Sequence, residues 1–162
     1  MARLLNLAAR GAVLAAAALL AGCNGVKTYP DQAAKNLQVH AQIDTGSVMK
    51  STVAEFDVHF VDANCESTYQ GRVYLDRPSV ITGIPTGRPV YLDFIFASNV
   101  RLSSNISAIR HGILFTPLAG HHYDARVSYD KGIYEVVLRE IRNGAPTRIV
   151  PRKSLRECRP GK

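Results

Sequence analysis

After Leu37 this chain alternates apolar and polar residues with a period of two, and that pattern restricts the fold more than any other feature. In LQVHAQID, Leu37, Val39, Ala41 and Ile43 alternate with Gln38, His40, Gln42 and Asp44. Successive strand side chains point to opposite faces, so the run predicts a half-buried strand. The alternation returns with Phe56, Val58 and Phe60 against Glu55, Asp57 and His59, and with Tyr69, Gly71, Val73 and Leu75 against Gln70, Arg72 and Tyr74. In the next run Val90, Leu92, Phe94 and Phe96 form one face, but Ile95 joins Tyr91 and Asp93 on the other. That mixture predicts a strand covered on both sides. Ile106 to Phe115 forms another strand, ended by Thr116-Pro117. Tyr123, Ala125, Val127 and Tyr129 then lead through Asp130-Lys131-Gly132 to Tyr134, Val136 and Leu138. This predicts a hairpin with a loop of about three to five residues whose glycine takes φ > 0. Arg77-Pro78, Ile84-Pro85-Thr86-Gly87 and Ala119-Gly120 punctuate the remainder. The expected fold is all-β, an antiparallel sandwich of about seven or eight strands, immunoglobulin-like or transthyretin-like. The Cys…Trp…Cys hallmark of true immunoglobulin domains is missing, since the chain has no Trp.

The first residues have a different character. Arg3 and Arg10 precede an Ala-rich apolar run from Gly11 to Ala21, and the segment closes on Leu20-Ala21-Gly22-Cys23. A positive region, a short apolar region and a small-residue cleavage site make a secretory signal peptide, too short for a membrane span. With cysteine after the cut, the segment resembles the lipobox of bacterial lipoproteins. The resemblance implies removal of residues 1–22, attachment of diacylglycerol to the Cys23 thiol and acylation of the new amino terminus. It also implies an envelope location. Asn24, rather than the Asp that retains enterobacterial lipoproteins in the inner membrane, favours the outer membrane facing the periplasm. Residues 23–36 then read as lipidated terminus and flexible tether, spanning on the order of 20 Å as a coil and about 40 Å extended. Residues 37–162 form the sandwich with a basic tail.

Cysteine usage agrees with an oxidising compartment. Cys23 is consumed by lipid, which leaves Cys65 and Cys158 as a pair. Two leftover thiols in the periplasm form a disulfide, and closing so long a loop is worth about 4 to 5 kcal/mol by chain entropy. No C-x-x-C spacing points to redox or metal chemistry instead.

Charge indicates the kind of partner. The chain carries 20 Lys and Arg against 13 Asp and Glu, and two of the arginines leave with the leader. A basic surface beside a bilayer attracts anionic lipid, lipopolysaccharide phosphate or acidic proteins, and nucleic acid is the wrong inference for an exported chain. The tail from Thr147 to Lys162 departs from the strand pattern and concentrates this charge. Arg148, Arg152, Lys153, Arg156 and Arg159 are candidate contacts for an anionic partner. Tyr74 and Tyr91 fall on the polar-facing register of their strands and are candidate interface residues, because amphipathic rings are enriched at interfaces.

Chemistry of other kinds has little support. No nucleophile elbow, zincin helix, phosphate loop or dinucleotide fingerprint occurs, and Glu55, Asp57, Asp93 and Asp124 sit on polar strand faces. His121 and His122, as strand neighbours, would point to opposite faces. His40 and His59 could form a two-His surface site if their strands were adjacent, short of the three or four ligands zinc takes. No metal, cofactor or catalytic residue is expected. The reading is a non-enzymatic binding or assembly-accessory module, anchored through lipid and serving an envelope protein partner. Its alternative is direct binding of anionic lipid or polysaccharide by the tail. A metal-binding protein or an enzyme stands third.

Overall fold

A computed structural model describes residues 26–30, 34–44, 50–100 and 106–160. The signal peptide, Cys23 and Lys162 lie outside the described residues. Among the described residues nine strands follow in order: β1 (Lys35–Ile43), β2 (Lys50–Val61), β3 (Ser67–Tyr74), β4 (Ser79–Gly83), β5 (Val90–Val100), β6 (Ile106–Phe115), β7 (His122–Asp130), β8 (Ile133–Arg142) and β9 (Ala145–Ile149). They form two sheets, β4-β1-β7-β8-β9 and β3-β2-β5-β6. The all-β sandwich and its disulfide are as expected. An immunoglobulin arrangement would place the first two strands side by side in one sheet. Here β1 and β2 belong to different sheets, so that arrangement is not the one observed.

Three local expectations need correction. Among the described strands every pairing is antiparallel except β1 with β7, which is parallel from Leu37↔Tyr123 to Ile43↔Tyr129. The tail does not leave the fold at Thr147: Ala145–Ile149 pairs with β8, through the Asn143-Gly144 turn. Asn143 and Gly144 have φ of 52° and 78°, the paired positive values of a two-residue turn that matches strand twist. The β7–β8 loop is equally tight, with Asp130 opposite Ile133 and φ of 47° at Lys131 and 88° at Gly132.

The core lies between the sheets. Phe56, Val58, Leu92, Phe94, Phe96 and Ile113 face Leu37, Val39, Tyr123, Ala125, Val127 and Leu138, all fully or almost fully buried. Their alternation along each strand is what buries one face at about 25 cal/mol per Å² of apolar surface. Ile95 is buried on the other face of β5, as the broken alternation predicted.

Two seams remain where sheet edges meet, and a chain terminus crosses each. At the β3/β4 seam, Lys27–Tyr29 lies beside β3: Tyr29 N–H donates to Arg72 O at 2.9 Å, and Arg72 N–H to Lys27 O at 2.8 Å. The Tyr29 hydroxyl crosses to the other sheet and donates to Gly83 O at 2.9 Å. Asn36 then clamps the β4–β5 loop, donating to Ile84 O at 2.9 Å and accepting from Ile84 N–H at 2.8 Å. The expected free tether is therefore shortened, because Tyr29 is only 7% exposed and Asn36 only 8%. At the β6/β9 seam, Val150 N–H donates to Leu138 O of one sheet, and Lys153 O accepts from Leu114 N–H of the other. A single 3₁₀ turn, Leu155–Glu157, follows, with Glu157 accepting from the Ser154 N–H. Cys158 ends this strap in a disulfide to Cys65 in the β2–β3 loop, with S–S 2.06 Å and Cα–Cα 5.8 Å. Strand edges are a liability for unwanted pairing, and these two segments partly cover them.

Candidate functional site: the basic end, the β3/β4 seam and the outer sheet faces

The five basic candidates of the tail divide into two groups. Arg148 donates to Glu140 at 2.5 Å, and Glu140 also meets His121 Nδ1 at 2.6 Å. Burial alone would raise the Glu140 carboxyl, but the hydrogen bonds from Arg148 and His121 outweigh it and hold it below its ordinary value. Arg152 is spent on the backbone, donating through Nε and Nη2 to Val136 O. Arg148 thus ties β9 to β8, and Arg152 fastens the strap. Lys153, Arg156 and Arg159 instead line an open concavity of about 790 Å³ with Leu114, Phe115 and Cys158. Among the described residues neither Arg156 nor Arg159 takes part in an ion pair. Arg88 in the β4–β5 loop lies over the Phe60 ring, 4.2 Å from its centroid, at the same end of the sandwich. Sequence reading missed Arg88, because only the fold brings that loop beside the strap.

The two tyrosine candidates also separate. Tyr91 lies against Gly112, where a Cβ would meet its hydroxyl at 2.0 Å, and packs on His59 with ring centroids 5.9 Å apart. It covers a glycine of its own sheet and is half-buried. Tyr74 is 46% exposed, and with Ile81, 57% exposed, it lines a groove of about 520 Å³ along the β3/β4 seam. Ile81 was not singled out in the sequence, where SVITG between two prolines carries no clear alternation.

Behind Tyr91 the outer face of the four-stranded sheet holds a charge network. Register places Arg72, Asp57, Asp93 and Gly112 in one row, and Tyr74, Glu55, Ile95 and Arg110 in the next. Arg72 spans both rows, donating to Asp57 at 2.7 and 3.0 Å and to Glu55, while Arg110 pairs with Asp93. Asp57 and Asp93 are buried, contrary to their reading as ordinary solvent-facing charges. They lie on central strands, where neighbouring side chains cover them. Asp93 Oδ1 has no hydrogen-bond partner among the described residues.

The histidines do not converge. His40 lies in one sheet and His59 in the other, so the two-His site does not form. His40 pairs with Asp124 at 3.1 Å. No group of three or more His, Cys, Asp or Glu among the described residues could hold a metal ion. Burial lowers the His59 imidazole below its ordinary 6.5, with the Asp57 and Asp93 charges acting against it. Burial likewise lowers His111, whose ring meets the Phe96 ring edge-on at 5.8 Å between centroids, with Arg152 adding to the effect. A depressed folded value means that the unfolded chain takes up protons first as pH falls. The stability these rings contribute is therefore complete above about pH 6.5 and lost as pH drops through their folded values. Thermal melts between about pH 7.5 and 5 should show this loss, and a variant combining H59Q with H111L should flatten it. An unchanged pH slope in that variant would contradict the assignment.

Together these features define a disulfide-strapped, two-sheet β-sandwich with a basic end and an exposed apolar seam. Among the described residues no helix is long and apolar enough to cross a membrane. No protein-family model, no curated protein and no solved structure matches the chain.

Proposed function

We propose that the chain is a lipid-anchored module of the bacterial cell envelope that holds a protein partner at the membrane by non-covalent contact. The anchor is Cys23 of the lipobox-like segment, and the location is the outer membrane, facing the periplasm. The observation that carries the reading is the docking of Lys27–Tyr29 along β3. Only Asn24 and Gly25 stand between Cys23 and Val26, the first described residue. An acylated Cys23 would hold the folded domain against the bilayer instead of on a long leash. Confinement of this kind raises the effective concentration of a weak contact. Two or more acyl chains make the attachment durable where one would be marginal.

The contact surface we assign is the β3/β4 seam. Exposed Tyr74 and Ile81 line it, and β4 is an edge of its sheet, while the β3 edge is already taken at Arg72 by Lys27–Tyr29. An aromatic ring beside an aliphatic side chain at a strand edge suits a partner that brings its own extended segment. The test is affinity capture from solubilised envelope with the mature acylated protein as bait, at low and moderate salt. A protein retained at moderate salt, and at least tenfold depleted on a bait carrying Y74E with I81E, is the expected result. Retention of anionic lipid or polysaccharide alone, abolished by salt, would favour the direct-binding alternative.

A further inference from the structure

The domain has two ends of different charge. The β2–β3, β4–β5, β6–β7 and β8–β9 connections share one end. Gly87 N–H to Pro117 O at 2.8 Å and the Phe115–Tyr123 ring contact show that the two sheets agree on it. Arg88, Lys153, Arg156 and Arg159 gather there, against Asp62, Glu66 and Glu157. Asp62 is engaged locally, accepting from the Asn64 and Glu66 amides at 2.9 and 2.8 Å. At the opposite end, the described loop residues and strand termini include Asp44, Asp76 and Asp130 with Lys50, Arg77 and Lys131, three of each sign, and Arg77 is paired to Asp76 at 3.3 Å.

The direction of the N-terminal segment ties this polarity to the anchor. The Thr28–Arg72 bridge is parallel, so the chain before Thr28 runs back toward the start of β3. That start adjoins the β2–β3 loop and its disulfide. The three steps from Val26 to Cys23 reach about 10 Å at most. Lipid on Cys23 would thus lie by the basic end and far from the opposite, charge-balanced one. Leu118, 41% exposed, stands in the β6–β7 loop at the same end. An apolar side chain at the same end as several exposed cations is the composition of a surface that seats in the interfacial region of a bilayer.

We infer that the basic end is a membrane-binding face: Arg88, Lys153, Arg156 and Arg159 contact the phosphates of anionic lipid headgroups around the anchor, with Leu118 entering the interface. This rests on the acylation of Cys23 proposed above, and it adds an orientation that the anchor alone does not dictate. The strap disulfide then faces the bilayer, the charge-balanced loops of the opposite end face away, and the β3/β4 seam stands to the side, open to a partner.

The test uses the mature protein, first checked by mass spectrometry for acyl groups on Cys23. It is reconstituted in vesicles of phosphatidylcholine alone or of phosphatidylcholine with phosphatidylglycerol. An environment-sensitive fluorophore is placed at Thr116→Cys or at Lys131→Cys, and a quencher is attached to lipid headgroups. In vesicles containing phosphatidylglycerol, quenching at position 116 should exceed that at position 131 several-fold. The ratio should fall toward one at about 1 M salt, where the screening length is about 3 Å. The variant K153Q/R156Q/R159Q should lower it in the same way, and inorganic phosphate at constant ionic strength should not. An acylated protein with equal quenching at both positions, or with a ratio indifferent to lipid charge and to the triple variant, would overturn the orientation and leave the anchor standing. A protein without acyl groups on Cys23 would overturn both.

Discussion

Replacing Cys65 or Cys158 by Ser is expected to lower the melting temperature by about 15 °C. The bridge spans a sequence separation of 93 residues. Chain entropy assigns such a closure about 4 to 5 kcal/mol, exerted mainly by restricting the unfolded chain. In a domain of this size each kcal/mol corresponds to about 3 to 5 °C. The folded strap should survive the loss for most of its length. Val150 stays bonded to Leu138, Leu114 to Lys153 and Arg152 to Val136 O, and none of these depends on the sulfurs. The single variants and the double variant should therefore melt together, since each removes the same constraint. Reducing the native protein should bring it to the same temperature. A native protein that melts within about 2 °C in both redox states would show that the remaining strap contacts hold the seam unaided.

The strap also marks where sequence reading succeeds and where it stops. Alternation in β1, β2, β5, β7 and β8 was legible because one face of each is buried in a core that demands apolar side chains at every second position. Pairing of Cys65 with Cys158 was legible by elimination. β9 was not, although Asn143-Gly144 is among the strongest short hairpin signals. Its five residues are all exposed, so no alternation announced them, and the basic tail drew the reading instead. The parallel match of β1 to β7 joins residues far apart in sequence, and no local pattern encodes such a register. The candidate site followed the same rule. Charge density pointed to the right segment, but which cation is spent on Glu140 or on Val136 O, and which is left in the open concavity, depends on neighbours that only folding supplies.

The second large effect is expected at Gly71. Substitution by Val should cost about 3 kcal/mol and release the N-terminal segment from the domain. Gly71 has φ 146°, a region side chains avoid, and it lies where β3 carries one residue more than β2: Val58 pairs with Gly71 but His59 pairs with Tyr69. Such a bulge, built on a glycine, bends the strand and lets another backbone approach. A Cβ there would stand 2.5 Å from Tyr29 Cα and 2.8 Å from Thr28 C, and backbone atoms cannot yield as a flexible side chain does. The strained conformation and the lost burial of the Tyr29 ring together set the magnitude. Thermal melts of G71V, Y29A and the double variant should show strong non-additivity, because both changes undo one contact. Trypsin should cut after Lys27 faster in G71V than in the native protein, where the Lys27 carbonyl is held by Arg72 N–H and the Tyr69 hydroxyl. A melt within about 1 kcal/mol of native, with Lys27 still protected, would refute the role of Gly71. The consequence for function follows from length alone. With Lys27–Tyr29 undocked, the leash from Cys23 would run to Ala34 or beyond, several times the reach of the native link. The variant would remain anchored but would lose the fixed orientation of its basic end, so the fluorophores at positions 116 and 131 should report equal quenching while the lipid on Cys23 is unchanged.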